Sequence, residues 1–191
     1  NRPLEALDVL ATTVAANPDS AGAVREGADM LAANAAAPAR VARQYAARAD
    51  ANQSDTAFAM HYLAGLLAAR ANRDELAQEQ FAKAFEARGE FVPAASALLD
   101  LTLAADDLDA ARDLLQAVEA ADPNAPQALR LRGRYELARG RPRNALAALQ
   151  KARELEPDDP ELLLLLARAY RQNDQLLAAR DVLERAVEER L

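Results

Sequence analysis

Moving 34 residues along this chain repeatedly lands on a residue of the same kind. Ala77, Ala111, Ala145 and Ala179 form one such series. Phe81, Leu115, Leu149 and Leu183 form a second, and Ala84, Val118, Ala152 and Ala186 a third. A fourth runs Gly65, Leu99, Gly133, Ala167, small except at Leu99, and Pro123 recurs as Pro157. A fixed period of this length marks an array in which each repeat is one helix-turn-helix unit. Residues three and four apart share a helix face, so Ala145, Leu149 and Ala152 make one stripe. The two alanines let a neighbouring helix come close, and the leucine fills the space between. Pro157 has no amide hydrogen, so the helix before it stops there. One hairpin cannot bury both of its apolar faces; stacked neighbours can.

No segment alternates apolar and polar residues as a half-buried strand would, so the expectation is an all-α chain. Hydrophobic residues make up 51% of the 191 positions but aromatics only 4%. That balance suits close packing through alanine rather than a thick core. The formal net charge of −7 argues against a general nucleic-acid binder or a protein held to an anionic membrane surface. Of 23 basic side chains only Lys83 and Lys151 are lysines; the wealth of Arg and Ala fits a GC-rich bacterial genome. With no cysteine, disulfides, thiolate metal sites and cysteine nucleophiles are excluded, and bacterial cytoplasm and periplasm both stay open. The longest strictly apolar run, residues 162–167, is far short of the ~20 residues a bilayer span needs. The chain begins at Asn1 without a methionine and without a recognisable signal peptide, which leads us to expect a piece of a longer protein.

At these residues the chain resembles the tetratricopeptide repeat family. Ala145, Leu149, Ala152 and Pro157 occupy the family's second-helix slots, as do Ala179, Leu183 and Ala186 in the next copy. Leu163, Leu166, Ala167 and Tyr170 stand in first-helix order. Ala77, Phe81 and Ala84, with Gly65 in the small slot, fit an earlier copy. Arg132 and Glu136 depart from the usual Leu and Tyr, with Leu131, Tyr135 and Leu137 beside them. The resemblance implies a right-handed α-α superhelix, a solenoid of about eleven antiparallel helices. It also implies a non-catalytic scaffold for protein–protein interaction, holding a partner segment in a concave groove lined by first helices. An alternative expectation is a structural spacer or periplasmic scaffold in a larger bacterial secretion or exopolysaccharide-export machine.

Taken in order, we read residues 1–191 as a single solenoid. Residues 1–20 hold the second helix of a truncated repeat and 21–55 a degenerate repeat. Clearer repeats follow at 56–91, 92–125, 126–159 and 160–191. Helices are expected over 3–16, 21–34, 38–50, 55–71, 74–88, 91–105, 108–121, 126–139, 142–155, 160–172 and 176–190. Asp19 or Ser20, Asp74 and Asp159 are candidate helix caps, and Gly89 a helix stop.

The first-helix slots that the resemblance exposes to a ligand include Tyr62, Leu66, Arg70, Ser96, Asp100, Leu103, Gln127, Arg130, Arg134, Leu137, Leu164, Arg168, Arg171 and Gln172. Tyr62, Arg70, Asp100, Arg130, Arg134, Arg168 and Arg171 are the candidate groove residues. Arg130 and Arg134 share a face, and the Arg fork takes carboxylates in bidentate fashion. The expected partner is a protein or peptide, with an acidic segment or a terminal carboxylate held near Arg130, Arg134, Arg168 and Arg171. The competing reading is that these arginines pair with acids on adjacent repeats or are simply solvated. The family subgroup that clamps a C-terminal carboxylate uses a Lys and Asn set that this chain lacks. The arginine run from 130 to 143 has only Tyr135 interleaved, so we expect no nucleic-acid partner. His61 is the only histidine, and no zinc site or Ser-His-Asp arrangement is visible around it. No cofactor, no metal and no catalysis are expected.

Overall fold

The computed structural model describes residues 2–34, 37–52 and 54–188. Among these there are eleven α-helices, one short 3-10 turn at Pro18–Ser20, and no strand. The helices are α1 (Arg2–Ala16), α2 (Ala21–Asn34), α3 (Pro38–Asp50), α4 (Ala57–Arg70), α5 (Asp74–Ala87) and α6 (Val92–Ala104). They continue with α7 (Leu108–Glu119), α8 (Pro126–Ala138), α9 (Pro142–Leu155), α10 (Pro160–Gln172) and α11 (Leu176–Glu188). Residues 189 and 190, where the last helix was expected to end, lie outside the described residues. The chain folds as two compact units, residues 1–101 and 102–191, with the division inside α6.

The helix boundaries follow local chemistry. Proline opens α3, α8, α9 and α10, where its missing donor has no intrahelical partner to lose. The turns inside the hairpins share a device. Asn72, Asp106, Gly140 and Asp174, each 34 residues apart, adopt positive φ of 53°, 57°, 65° and 57°. After each, an amide closes back five residues: Arg73 to Ala68 O, Asp107 to Thr102 O, Arg141 to Glu136 O and Gln175 to Tyr170 O. This left-handed C-cap satisfies carbonyls that would otherwise be orphaned at the helix end.

Several expected end signals act differently. The Ser20 hydroxyl donates to Asn17 O at 2.6 Å and so closes the segment behind it, while the Asp19 side chain lies outside the described residues. Asp74 is the first residue of α5 rather than its cap. Gly89 stays outside the left-handed region, so it is not a left-handed stop. The helix expected from 55 begins at Ala57, because Asn52 Oδ1 accepts from Ser54 N at 2.8 Å and holds a turn there. Asp159 does cap α10, accepting from the Glu161 and Leu162 amides, and Asp107 caps α7 through the Ala110 amide.

In the first unit the core forms around α4, which packs against α1, α2, α3 and α5. Every residue from Phe58 to Ala68 is buried. That helix has little amphipathic character because it has no solvent face to supply. Phe91 meets Phe58 and Tyr62 edge to face and Phe81 lies tilted against Tyr62, with ring centroids 4.9–5.9 Å apart. In the second unit Leu129, Leu137, Leu146, Leu149, Leu162, Leu163 and Leu166 share one core with Ala145 and Ala152.

The period's small slots set the helix spacing. Ala77, Ala111, Ala145 and Ala179 are all buried, as expected. A Cβ on Gly65 would come within 2.6 Å of the Phe81 ring, and one on Gly133 would overlap Leu149. The two pairs are 68 residues apart, two periods, so one close approach is built twice.

Candidate functional site

The first-helix slots separate into three groups. Tyr62, Leu66 and Leu137 were expected at the ligand-facing surface, but they are 3%, 5% and 4% exposed and belong to the cores. For Tyr62 and Leu66 the reason is that α4 is enclosed on every side. Burial raises the Tyr62 hydroxyl above its ordinary pKa, with Arg25 opposing and Asp29 reinforcing the shift. Tyr62 is therefore a packing residue against Phe81 and Phe91, not an open contact for a partner.

A second group is engaged within the protein. Arg70 on α4 forks onto both carboxylate oxygens of Asp29 on α2. Arg130 on α8 binds Glu156 and Asp159, the residues that join α9 to α10. Its guanidinium thus ties the start of one repeat to the cap of the next. Arg132, which replaces the usual leucine, turns away from the core and forks onto Glu119 of α7. That pairing, with the neighbouring Leu131 and Tyr135 buried, explains how the first helix tolerates an arginine there. Asp100, exposed on α6, and half-buried Arg134 on α8 are each engaged by other groups of the protein. For Arg70 and Arg130 the pairing with internal acids, rather than an open ligand site, describes the observed state.

The third group is open. On α10, Leu164 is 56% exposed, and Arg168 and Arg171 are exposed with it. Neither arginine has an ion-pair partner among the described residues. Leu162, Leu163, Leu166, Ala167 and Ala169 of the same helix are buried, so these side chains project from a fixed support. Arg168 repeats Arg134 one period on, and α8 and α10 touch. Gln172 is also exposed, next to Arg171.

The lone histidine is a structural residue. His61 is buried, its Nδ1 lies 2.8 Å from Gln80 Oε1, and its Nε2 is 4.0 Å from Asp50. Asp50 is itself held by Lys83 at 2.8 Å. Among the described residues no group of His, Cys, Asp and Glu is arranged to hold a metal. Among the described residues no helix is long and apolar enough to cross a membrane.

One surface escaped the sequence reading. The period assigns Leu183 the buried slot of Leu149, yet Leu183 is 41% exposed, against 0% for Leu149. Leu176 and Val187 on the same helix are each 65% exposed. The signal was in the sequence, since Leu176 and Val187 replace Pro142 and Arg153 one period back. The α11 stripe carries more apolar residues than its equivalent on α9.

Two family patterns, both described as tetratricopeptide repeat, match the chain over residues 136–190 and 96–142. No curated protein matches it. Among solved structures the chain is similar to MamA from residue 41 to its end, from Desulfovibrio magneticus RS-1. That pair is 20% identical with a TM-score of 0.53, covering 80% of this chain and 95% of that one. It is also similar to the MamA RS-1 ArsTM double mutant, with 18% identity, a TM-score of 0.59, and coverage of 100% and 96%. A further crystal structure of MamA is 19% identical with a TM-score of 0.57, covering 78% of this chain and 86% of that chain. At these identities the likeness is one of fold. The 34-residue period, the buried alanine series, the recurring left-handed turn and the two matching patterns agree, and the chain carries tetratricopeptide repeats over residues 96–190.

Proposed function

We propose that this repeat scaffold binds a partner protein through α10, gripping a segment in which acidic side chains flank an aliphatic one. Tetratricopeptide repeats serve in general as protein-interaction scaffolds, and the fold is typically non-catalytic. The observation that carries the finer reading is the contrast between arginines. Arg70, Arg130 and Arg132 are occupied by carboxylates of the chain itself, whereas Arg168 and Arg171 have no ion-pair partner among the described residues. A guanidinium left open beside an exposed leucine suits a ligand that supplies both a carboxylate and an apolar contact. Arg134, on the neighbouring first helix, would extend the basic strip at the cost of its present contacts. The spacer reading draws on no residue of this chain.

The test is a fluorescence-anisotropy titration with labelled peptides rich in Asp, Glu and Leu. Arg168→Glu combined with Arg171→Glu is expected to weaken binding by about tenfold or more, and added salt to weaken the wild type. Leu164→Ala is expected to cost less, under about 1 kcal/mol. Equal affinity of the charge-reversed variant and the wild type at low salt would refute the assignment.

A further inference from the structure

Helix α11 has two apolar sides. One holds Val182 and Ala186 and packs into the second unit's core against α10. The other consists of Leu176, Leu183 and Val187, with Ala179 at its edge, and it floors an open groove of about 570 Å³. Arg171, Arg180 and Glu184 border that groove. Three large aliphatic side chains on one helical stripe, each at least 41% exposed, are more than scattered surface hydrophobicity.

We infer that this face is a self-complementary interface, and that two copies of the chain associate through antiparallel packing of α11 on α11. The argument is one of register and charge. At about 100° per residue Leu176, Arg180, Leu183 and Val187 fall on a single stripe. That stripe is nearly symmetric about the midpoint between Asp181 and Val182. A two-fold axis there sets Leu176 of each copy against Val187 of the other, and Arg180 beside Leu183. Such an axis keeps each flank of the helix on the same side in both copies. Glu184 lies on the Arg180 flank, so Arg180 of one copy meets Glu184 of the other within about one residue's rise of ~1.5 Å. In the single chain Arg180 reaches only exposed partners, Asp181 at 3.1 Å and its own Glu184 at 3.4 Å, which are easily exchanged. A two-fold interface requires the same patch to complement itself, and this patch offers both an apolar strip and paired opposite charges. The groove shares only Arg171 with the Leu164 and Arg168 strip, and the apolar stripe and the Arg180–Glu184 pair lie outside that strip, so the two proposals are tested on different residues.

Sedimentation velocity of the full 191-residue chain over a micromolar concentration series reads the association directly. A monomer–dimer equilibrium is expected. Leu176→Asp with Val187→Asp should shift it to monomer with unchanged far-ultraviolet circular dichroism, because both side chains are exposed. Arg180→Glu alone and Glu184→Arg alone each set like charges opposite one another and should weaken the dimer by about tenfold. An equal mixture of those two variants should recover it, because the mixed pair has opposite charges at both contacts. A contact within one chain cannot produce that recovery. A wild-type chain that stays monomeric throughout overturns the inference and leaves the face to another partner. A dimer indifferent to the aspartates, or a mixture no tighter than its components, overturns it as well.

Discussion

Gly133 shows how much a single side chain position carries. Its missing Cβ is the space that Leu149 occupies, and Leu149 is fully buried. Burying a leucine is worth about 1.5–3 kcal/mol. Gly133→Ala gains up to ~1 kcal/mol in helix propensity but forces Leu149 against a packed core, which costs about 1–3 kcal/mol. The urea midpoint is expected to fall. Gly22→Ala on α2 supplies the contrast, because nothing lies within 4 Å of the added Cβ. There the propensity gain stands alone, and the midpoint is expected to rise by the equivalent of up to ~1 kcal/mol. If both substitutions shifted stability alike, the close approach at Gly133 would not be what holds α8 on α9. The slot was legible from the period; that the partner would be Leu149, sixteen residues on, was a matter of packing.

At the level of the element, the hairpin turn is the most regular feature of the protein. Asn72, Asp106, Gly140 and Asp174 all tolerate the left-handed region, Gly140 because it has no Cβ and the others through a short polar side chain that can bond locally. Their spacing is present in the sequence, but Asn, Asp and Gly look alike as turn formers until the φ values are known. Gly140 offers a clean test, since a Cβ there meets nothing within 4 Å. The cost of Gly140→Ala is then backbone strain alone, about 1–2 kcal/mol, and Gly140→Asn should cost clearly less. Thermal melts of the two variants measure the difference. The α9–α10 joint makes a second element-scale case. Asp159 caps α10 and also receives Arg130, so Asp159→Ala removes a cap worth about 1 kcal/mol and one of that arginine's two acids. Asp159→Asn keeps the cap and loses the charge. It should retain most of the stability and become less sensitive to salt.

Across the whole molecule, the buried tyrosines set a limit in alkali. Burial raises the pKa of Tyr45, with the Asp8 carboxylate adding to the shift, and burial likewise raises Tyr62. Among the described residues the Tyr45 hydroxyl makes no well-formed hydrogen bond, the nearby Asp8 carboxylate acting on it chiefly through its charge. Above pH ~10 the unfolded chain gives up these protons while the folded chain keeps them, so stability falls as pH rises. The slope approaches about 1.4 kcal/mol per pH unit for each group until its folded pKa is passed. The urea midpoint is therefore expected to drop between about pH 9 and about pH 11, and Tyr45→Phe with Tyr62→Phe to flatten that drop. At neutral pH Tyr45→Phe should be nearly neutral, because it removes a buried hydroxyl that has no well-formed hydrogen bond.

The chain's order of residues was enough to determine the helices, the hairpins α4–α5, α8–α9 and α10–α11, and which alanines lie in the seams. These follow from a period, from the threefold and fourfold spacing of a helix face, and from prolines that act within one turn of where they stand. The groove was less legible. A slot number says which way a side chain leaves its own helix, but not whether another element already covers it. Tyr62 and Leu66 point as expected and are enclosed by packing around α4. Arg70 and Arg130 point as expected and are met by Asp29, Glu156 and Asp159, acids 41, 26 and 29 positions away in the chain. Only the tertiary structure could separate those arginines from Arg168 and Arg171, because an ion pair depends on distance in space, and sequence separation does not contain it.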